Sequence, residues 1–259
     1  MKLEFFKYQG TGNDFIVMDN RLGLYADLSQ HQIASLCERR MGIGADGLML
    51  LQQKDGYDFE MIYYNADGKE GSMCGNGGRC IVQFAFDLKL ITDKCLFIAT
   101  DGPHEAVITN PGMIELKMKD VRAIEKRNEI SVLNTGSPHY IQPVDDLDAM
   151  DVEKEGKLVR YSPEFKKDGI NVNFIQIKNN LLHIRTYERG VEAETLSCGT
   201  GATAAALSIA RKGTDPQYVE ILTRGGLLNV KFTQTKEGNF ENIWLCGPAI
   251  RVFQGTITI

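Results

Sequence analysis

A chain of 259 residues that is 43% hydrophobic and 24% charged has the make-up of one large or two smaller globular domains, which excludes collagen-like, coiled-coil and disordered chains. Its 29 Lys and Arg against 34 Asp and Glu give a net charge of −5, which speaks against a nucleic-acid partner, whose docking needs a basic excess. No apolar run reaches the ~18 residues of a membrane span, and residues 1–7 lack the apolar stretch and cleavage site of a secretory signal, so a cytoplasmic protein with no membrane partner is expected.

In chain order, segments 3–7, 15–19, 47–52 and 58–64 have strand length and are punctuated by Gly, Asn and Asp. Residues 27–40 are expected to form a surface helix, with Ser29 and Gln32 as a capping box and Ile33, Leu36 and Cys37 as its buried stripe. Residues 42–47 fit G-x-G-x-x-G. They follow a helix and lead into an apolar run, the reverse of the strand–turn–helix order of a dinucleotide site, so a tight glycine turn is the better account. Residues 79–86, after Cys74, are apolar nearly all round, and so are 202–210 after Cys198. A helix without a polar face is buried, so each should be wrapped by strands. Strands that come in runs favour α+β over a doubly wound sheet. A charged stretch at 120–129 marks the expected domain boundary, and 249–253 reads as a last strand whose partner the sequence does not assign.

The chain is written twice. Cys74-Gly75-Asn76-Gly77-Gly78 resembles Cys198-Gly199-Thr200-Gly201-Ala202 at an offset of 124, from 74 to 198. The same offset links Gly12-Asn13 to Gly136-Ser137, Gly47-Leu48 to Asn171-Val172, Tyr63-Tyr64-Asn65 to Tyr187-Glu188-Arg189, and the segment from Phe97 to that from Ile221. Five matches at one offset predict two copies of a domain, 1–125 carrying Cys74 and 126–259 carrying Cys198.

Six cysteines, at 37, 74, 80, 95, 198 and 246, are too sparse for a disulfide scaffold. With no C-x-x-C pair and four histidines, a structural zinc site is not expected. Cys74 and Cys198 stand apart because each precedes a glycine-rich helix start. There a thiol pKa falls from about 8.5 toward 3.5–7.5, and the unpaired amides bind a carboxylate or phosphate. Two such thiols facing one cleft suit inversion of a carbon by proton transfer, one face losing a proton while the other gains one. The plain alternative is that both cysteines only pack beside tight turns.

These residues carry a resemblance. Lys7-Tyr8-Gln9-Gly10-Thr11-Gly12-Asn13-Asp14-Phe15, Asn65-Ala66-Asp67-Gly68, the two Cys-Gly motifs and Glu188-Arg189-Gly190 together resemble the diaminopimelate epimerase family. The resemblance implies two homologous, pseudo-symmetric domains, each an antiparallel barrel or roll around a central helix. It implies interconversion of LL- and meso-2,6-diaminopimelate for lysine and peptidoglycan precursors, with no pyridoxal phosphate or other cofactor and no metal. By position it makes Cys74 and Cys198 the acid/base thiols and His139 and Glu188 residues that tune them. It gives substrate contacts to Asn13, Asn65, Gly75, Asn76, Asn171, Glu188, Arg189, Gly199 and Thr200. Ser137 and Gly47 stand where some family members carry an asparagine and a glutamine, and they are left out of the site.

At the 124 offset Tyr64-Asn65 is replaced by Glu188-Arg189, which reads as symmetric chemistry with asymmetric recognition of a distal zwitterion. That second charged end also speaks against a proline racemase-like isomerase. A thiol redox protein is disfavoured because neither Cys-Gly motif supplies a resolving thiol, and a binding module would be told from an enzyme by a turnover assay. The expected partner is a small-molecule substrate. The sequence leaves the oligomeric state open, a homodimer among the options.

Overall fold

The structure is a computed structural model that describes residues 1–71, 73–110, 112–122 and 124–259. The chain divides into two compact units, Met1–Leu116 with Gly247–Ile259, and Lys117–Cys246. In chain order the elements are β1 (Lys2–Gly10), β2 (Asn13–Asp19), α1 (Gln30–Cys37), β3 (Gly47–Gln52), β4 (Phe59–Asn65), α2 (Gly75–Asp87), β5 (Lys94–Ala99), β6 (Gly102–Asn110) and β7 (Met113–Lys117). There follow β8 (Glu125–Arg127), β9 (Ile130–Asn134), β10 (Pro138–Pro143), α3 (Val152–Arg160), β11 (Asn171–Lys178), β12 (Leu181–Glu188), β13 (Ala193–Thr195) and α4 (Gly199–Ser208). The chain ends with β14 (Gln217–Thr223), β15 (Gly226–Gln234), β16 (Phe240–Pro248) and β17 (Ile250–Thr258).

The first unit wraps its strands around α2, which is buried from Gly75 to Ala85 and packs on β1, β2, β3, β6 and β17. In the second, α4 packs on β9, β10, β11, β12, β14 and β15. These are the two helices expected from their lack of a polar face, and the α+β class follows. Each roll is mixed rather than wholly antiparallel. Hairpins β1–β2, β3–β4, β9–β10 and β11–β12 are antiparallel, while β2–β3, β4–β5, β10–β11 and β12–β14 are parallel. A parallel pair needs a crossover, and the helices supply it: α1 links β2 to β3, and α2 links β4 to β5.

Locally the sequence behaves as its residues dictate. Ser29 accepts from the Gln32 amide and Gln32 reaches back to Ser29, closing the capping box of α1, whose buried residues are Ile33, Leu36 and Cys37. The helix is shorter than 27–40 because Ser29 caps it and Glu38, with ψ 128°, turns the chain out. The 42–47 segment is the expected turn. A Cβ at Gly42 would lie 2.1 Å from the Ser35 carbonyl oxygen, and Gly44 has φ +81°.

The expected division at 125/126 differs from the structure at two places: the units part at 116/117, and the C-terminus returns to the first unit. β17 pairs with β1 from Lys2↔Thr258 to Gln9↔Ile250, so residues 247–259 complete the first unit and not the second. Among the described residues no helix is long and apolar enough to cross a membrane.

The internal repeat survives in the ladders, with one slip. Phe15↔Gly47 and His139↔Asn171 are the same pair 124 residues apart, but Leu48↔Tyr64 corresponds to Val172↔Tyr187, and Phe59↔Phe97 to Leu182↔Ile221. Strand β12 therefore sits 123 residues after β4 (64 to 187), and the lost residue is regained before Cys198. Asn65 corresponds to Glu188 and Tyr64 to Tyr187. The expected replacement of Tyr64-Asn65 by Glu188-Arg189, the sequence basis for asymmetric recognition, is out of register by one residue.

Candidate active site

In the first unit Cys74 is the N-cap residue of α2, with φ −101° and ψ 133°, and its carbonyl accepts the first helical bond, from Gly78, at 2.7 Å. Helix geometry leaves the amides of the first turn outside the ladder, at the positive end of the dipole. The half-buried Cys74 thiol donates to Asn13 Oδ1 at 3.7 Å, and Asn76 Nδ2 donates to the same oxygen at 3.4 Å. Asn13 Nδ2 donates to Asp46 at 2.5 Å, which fixes the amide so that its oxygen faces Sγ. Behind it stand Lys7, Asp14, Arg39 and Asp46. Burial opposes ionisation of Asp14, but hydrogen bonds from Arg39 and Lys7 outweigh it and hold that carboxyl down to about 2.

Arg79, fully buried, ties the first turn of α2 together: its guanidinium donates to Gly75 O at 3.3 Å, Asn76 Oδ1 at 2.9 Å and Thr11 Oγ1 at 3.2 Å. Asn65, at the exposed end of β4, lies in a turn closed by the Lys69 carbonyl, with its amide over Gly71. Gly47 admits no side chain, since a Cβ would lie 2.6 Å from the Tyr63 ring.

In the second unit Cys198 is the N-cap of α4 (φ −122°, ψ 112°), and its Sγ lies 3.4 Å from Thr200 Oγ1. Thr203, the counterpart of Arg79, bonds the Gly199 carbonyl at 2.9 Å, so both units secure the same carbonyl of the first turn by different chemistry. The Thr200 carbonyl accepts from Thr135 at 2.9 Å. Glu188 accepts from Thr195 at 2.8 Å. Asn171 is 4% exposed: its oxygen accepts the Arg189 amide at 2.9 Å and its Nδ2 donates to Ser137 Oγ at 2.8 Å and Pro138 O at 3.1 Å. The Arg189 guanidinium reaches Asp168 O at 2.9 Å and Ser137 Oγ at 3.4 Å. Asn171 thus orients Arg189 and Ser137, and Ser137, set aside on sequence grounds, is part of this cluster.

His139 lies under α4, fully buried, its Nδ1 3.1 Å from Asn173 Nδ2. Burial, with the Arg189 charge adding to it, pushes its pKa down to about 3, so the ring is neutral. Asn173 and Thr186, the other members of this layer, were not read from the sequence. Their signal is polarity at positions where the first copy is apolar, visible once β12 is set at its true register.

The other thiols are a different population. Burial pushes Cys37 up to about 11 and Cys80 and Cys95 up to about 12, which makes them inert packing residues. Among the described residues no group of three or more His, Cys, Asp or Glu is placed to hold a metal ion.

The family described as "Diaminopimelate epimerase" matches residues 5–123 and 131–252. A diaminopimelate epimerase of Flavobacterium psychrophilum is 49% identical over 98% of this chain and 100% of its own. One of Chlorobaculum tepidum is 44% identical over 96% and 99%. Among solved structures, a phenazine biosynthesis protein of the PhzF family from Bacillus anthracis superposes with a TM-score of 0.77 at 14% identity, covering all of both chains. A hydroxyproline epimerase from Agrobacterium vitis, with bound trans-4-hydroxy-L-proline, gives 0.70 at 13% identity over 99% of this chain and 92% of its own. At those identities the likeness concerns the fold alone.

Proposed function

The chain belongs to the diaminopimelate epimerase family and is an isomerase, and from that premise we propose that it interconverts LL- and meso-2,6-diaminopimelate by a relay between Cys74 and Cys198. One thiolate removes the α-proton and the other thiol delivers a proton to the opposite face of the same carbon; the reverse reaction uses the same pair in exchanged protonation states. The observation that carries this reading is the recurrence of one device in two units: a cysteine as N-cap of a buried, glycine-led helix. A reacting carboxylate held at such helix ends has its developing enolate charge stabilised by fixed N–H groups. On this reading Asn13, Asn65, Asn76 and Thr200 orient substrate polar groups. Arg189 suits a carboxylate, Glu188 an ammonium, and no cofactor is required. The activity would serve lysine and peptidoglycan-precursor synthesis.

Isotope labelling tests the relay. In deuterated water the donor thiol carries solvent deuterium, whereas the abstracting thiol receives a substrate proton. Meso product formed early from the LL isomer should be almost fully labelled at the inverted carbon, and unreacted LL substrate far less. Largely unlabelled early product would mean that one group both removes and returns the proton.

A further inference from the structure

We propose that Asn173 is a positioning residue that locks His139 in the neutral Nε2–H tautomer, so that the histidine serves the reaction as a hydrogen-bond donor and not as a base. The use made of the donor rests on the epimerase reading above; the tautomer itself does not.

The assignment follows from which atoms can only accept. Asn173 Nδ2 lies 3.1 Å from the Tyr140 carbonyl oxygen and 3.4 Å from that of Asn171, while Asn173 Oδ1 receives the Thr186 hydroxyl at 3.0 Å. Reversing the amide would set its oxygen against two carbonyl oxygens, so its orientation is fixed by the backbone. The amide nitrogen has two hydrogens, and its two nearer acceptors are the Tyr140 carbonyl and His139 Nδ1, both at 3.1 Å, so Nδ1 accepts and the proton of the neutral ring sits on Nε2. That Nε2 is buried and has no hydrogen-bond partner among the described residues. A buried donor left unmet is costly, and it is the condition of a group that awaits an acceptor from the reacting complex.

Two further observations separate this from ordinary core packing. The layer lies beneath the turn that Cys198 caps: a Cβ at Gly201 would meet Asn173 Oδ1 at 2.5 Å and Cys198 Sγ at 3.4 Å. The fold does not require polar groups there either. The equivalent positions of the first unit, paired in the same ladders, are Phe15, Met49 and Tyr63, with the Phe15 and Tyr63 rings packed edge to face at 6.1 Å. A neutral donor at this place strengthens as negative charge develops on an acceptor at the first turn of α4, and it cannot take the substrate proton itself. That leaves proton transfer to the thiols.

The full-length protein labelled with 15N-histidine tests the tautomer without substrate. Long-range proton–nitrogen correlation spectra, with His139 assigned by loss of its signals in His139→Gln, should show Nδ1 as the unprotonated nitrogen and Nε2 as the protonated one, unchanged between pH 8 and 5. A protonated Nδ1, or an imidazolium in that range, overturns the proposal. Asn173→Asp offers Nδ1 an acceptor and should move the proton to Nδ1. The epimerase kcat should then fall by a factor of roughly ten or more, within the ~10⁴ that a wrong tautomer costs elsewhere, with KM little changed. If that variant does not fold, Asn173→Met, which copies Met49, removes the donor and should lower kcat in the same way while mixing the tautomers. Unchanged kcat in a folded variant with an altered tautomer overturns the positioning role. A wild-type protein inactive on diaminopimelate but showing the expected spectrum defeats the substrate reading and leaves the tautomer assignment standing.

Discussion

The two buried helices rest on different beds. Beneath α2 the residues facing Gly77 are Phe15, Met49 and Met61; beneath α4 lies a chain of hydrogen bonds from Thr186 through Asn173 to His139. Backbone pairing is the same in both, so the fold tolerates either. The difference in charge is placed elsewhere as well: the first unit clamps its helix start with a buried guanidinium, Arg79, and the second with a neutral hydroxyl, Thr203. A duplicated backbone thus supplies two equivalent thiol positions while the side chains around them diverge. The proposed relay would use that arrangement, because each thiol would perform the opposite half of one proton transfer.

The largest expected effect falls where the units are alike. Cys74→Ala and Cys198→Ala should each lower the epimerisation rate by a factor of about 10²–10⁴ or more, the worth of a positioned acid or base, with circular dichroism and melting temperature nearly unchanged. Replacing Cys80 or Cys95, buried and held as neutral thiols, should instead cost about 1–3 kcal/mol of stability and little activity. Steady-state rates beside melting curves separate the two classes. An active Cys74→Ala or Cys198→Ala protein would end the two-thiol reading.

A smaller effect should appear where the beds differ. At Gly201 an added Cβ meets the Asn173 oxygen at 2.5 Å, and that oxygen cannot retreat because its amide is held on every side. At Gly77 the nearest atom is the flexible Met49 sulfur at 3.3 Å. Gly201→Ala should destabilise by about 1–3 kcal/mol, the usual cost of overpacking. Gly77→Ala should be near neutral, its strain offset by the helix propensity gained, up to about 1 kcal/mol. Equal losses in chemical denaturation would show that the beds are equally rigid and remove the contrast.

Much of this comparison could be read from the sequence because its signals are local. The capping box of Ser29 and Gln32, the glycine turn at 42–47 and the cysteines at two helix starts each depend on a few adjacent residues, and the structure contains all three. What escaped depends on distant pairing. Nothing within 249–259 announces that it pairs with β1 at the other end of the chain. The one-residue slip of β12 escaped for a related reason. Hairpin β11–β12 closes in two residues, Asn179 and Asn180, both with positive φ, where β3–β4 spans a longer loop, and the difference is cancelled before Cys198. A constant offset at both ends concealed it, and with it the equivalence of Asn65 and Glu188 and the polar substitution of the Met49–Tyr63 pair by Asn173–Thr186.

The smallest effect expected is on stability against acid, and it too distinguishes the beds. His139 is neutral in the folded chain down to about pH 3 because of its burial and the Arg189 charge, whereas in the unfolded chain it protonates near its ordinary value of about 6.5. Below that value the unfolded chain binds the extra proton, so the contribution of the neutral ring is complete above pH 6.5 and is lost as the pH falls toward 3. Between pH 7 and 5.5 the loss should be about 1 kcal/mol. His139→Phe installs the residue of the equivalent position, Phe15, and should remove that part of the pH dependence whatever it does to stability at pH 7. Acid weakening of the first unit has another source. Asp14, held down to about 2 by Arg39 and Lys7, keeps its contribution until the pH falls below about 4. Urea midpoints of the wild type and His139→Phe at pH 7 and 5.5 measure the difference directly. Parallel shifts in both proteins would mean that His139 titrates alike in the folded and unfolded chains, and that the bed beneath α4 does not exclude charge.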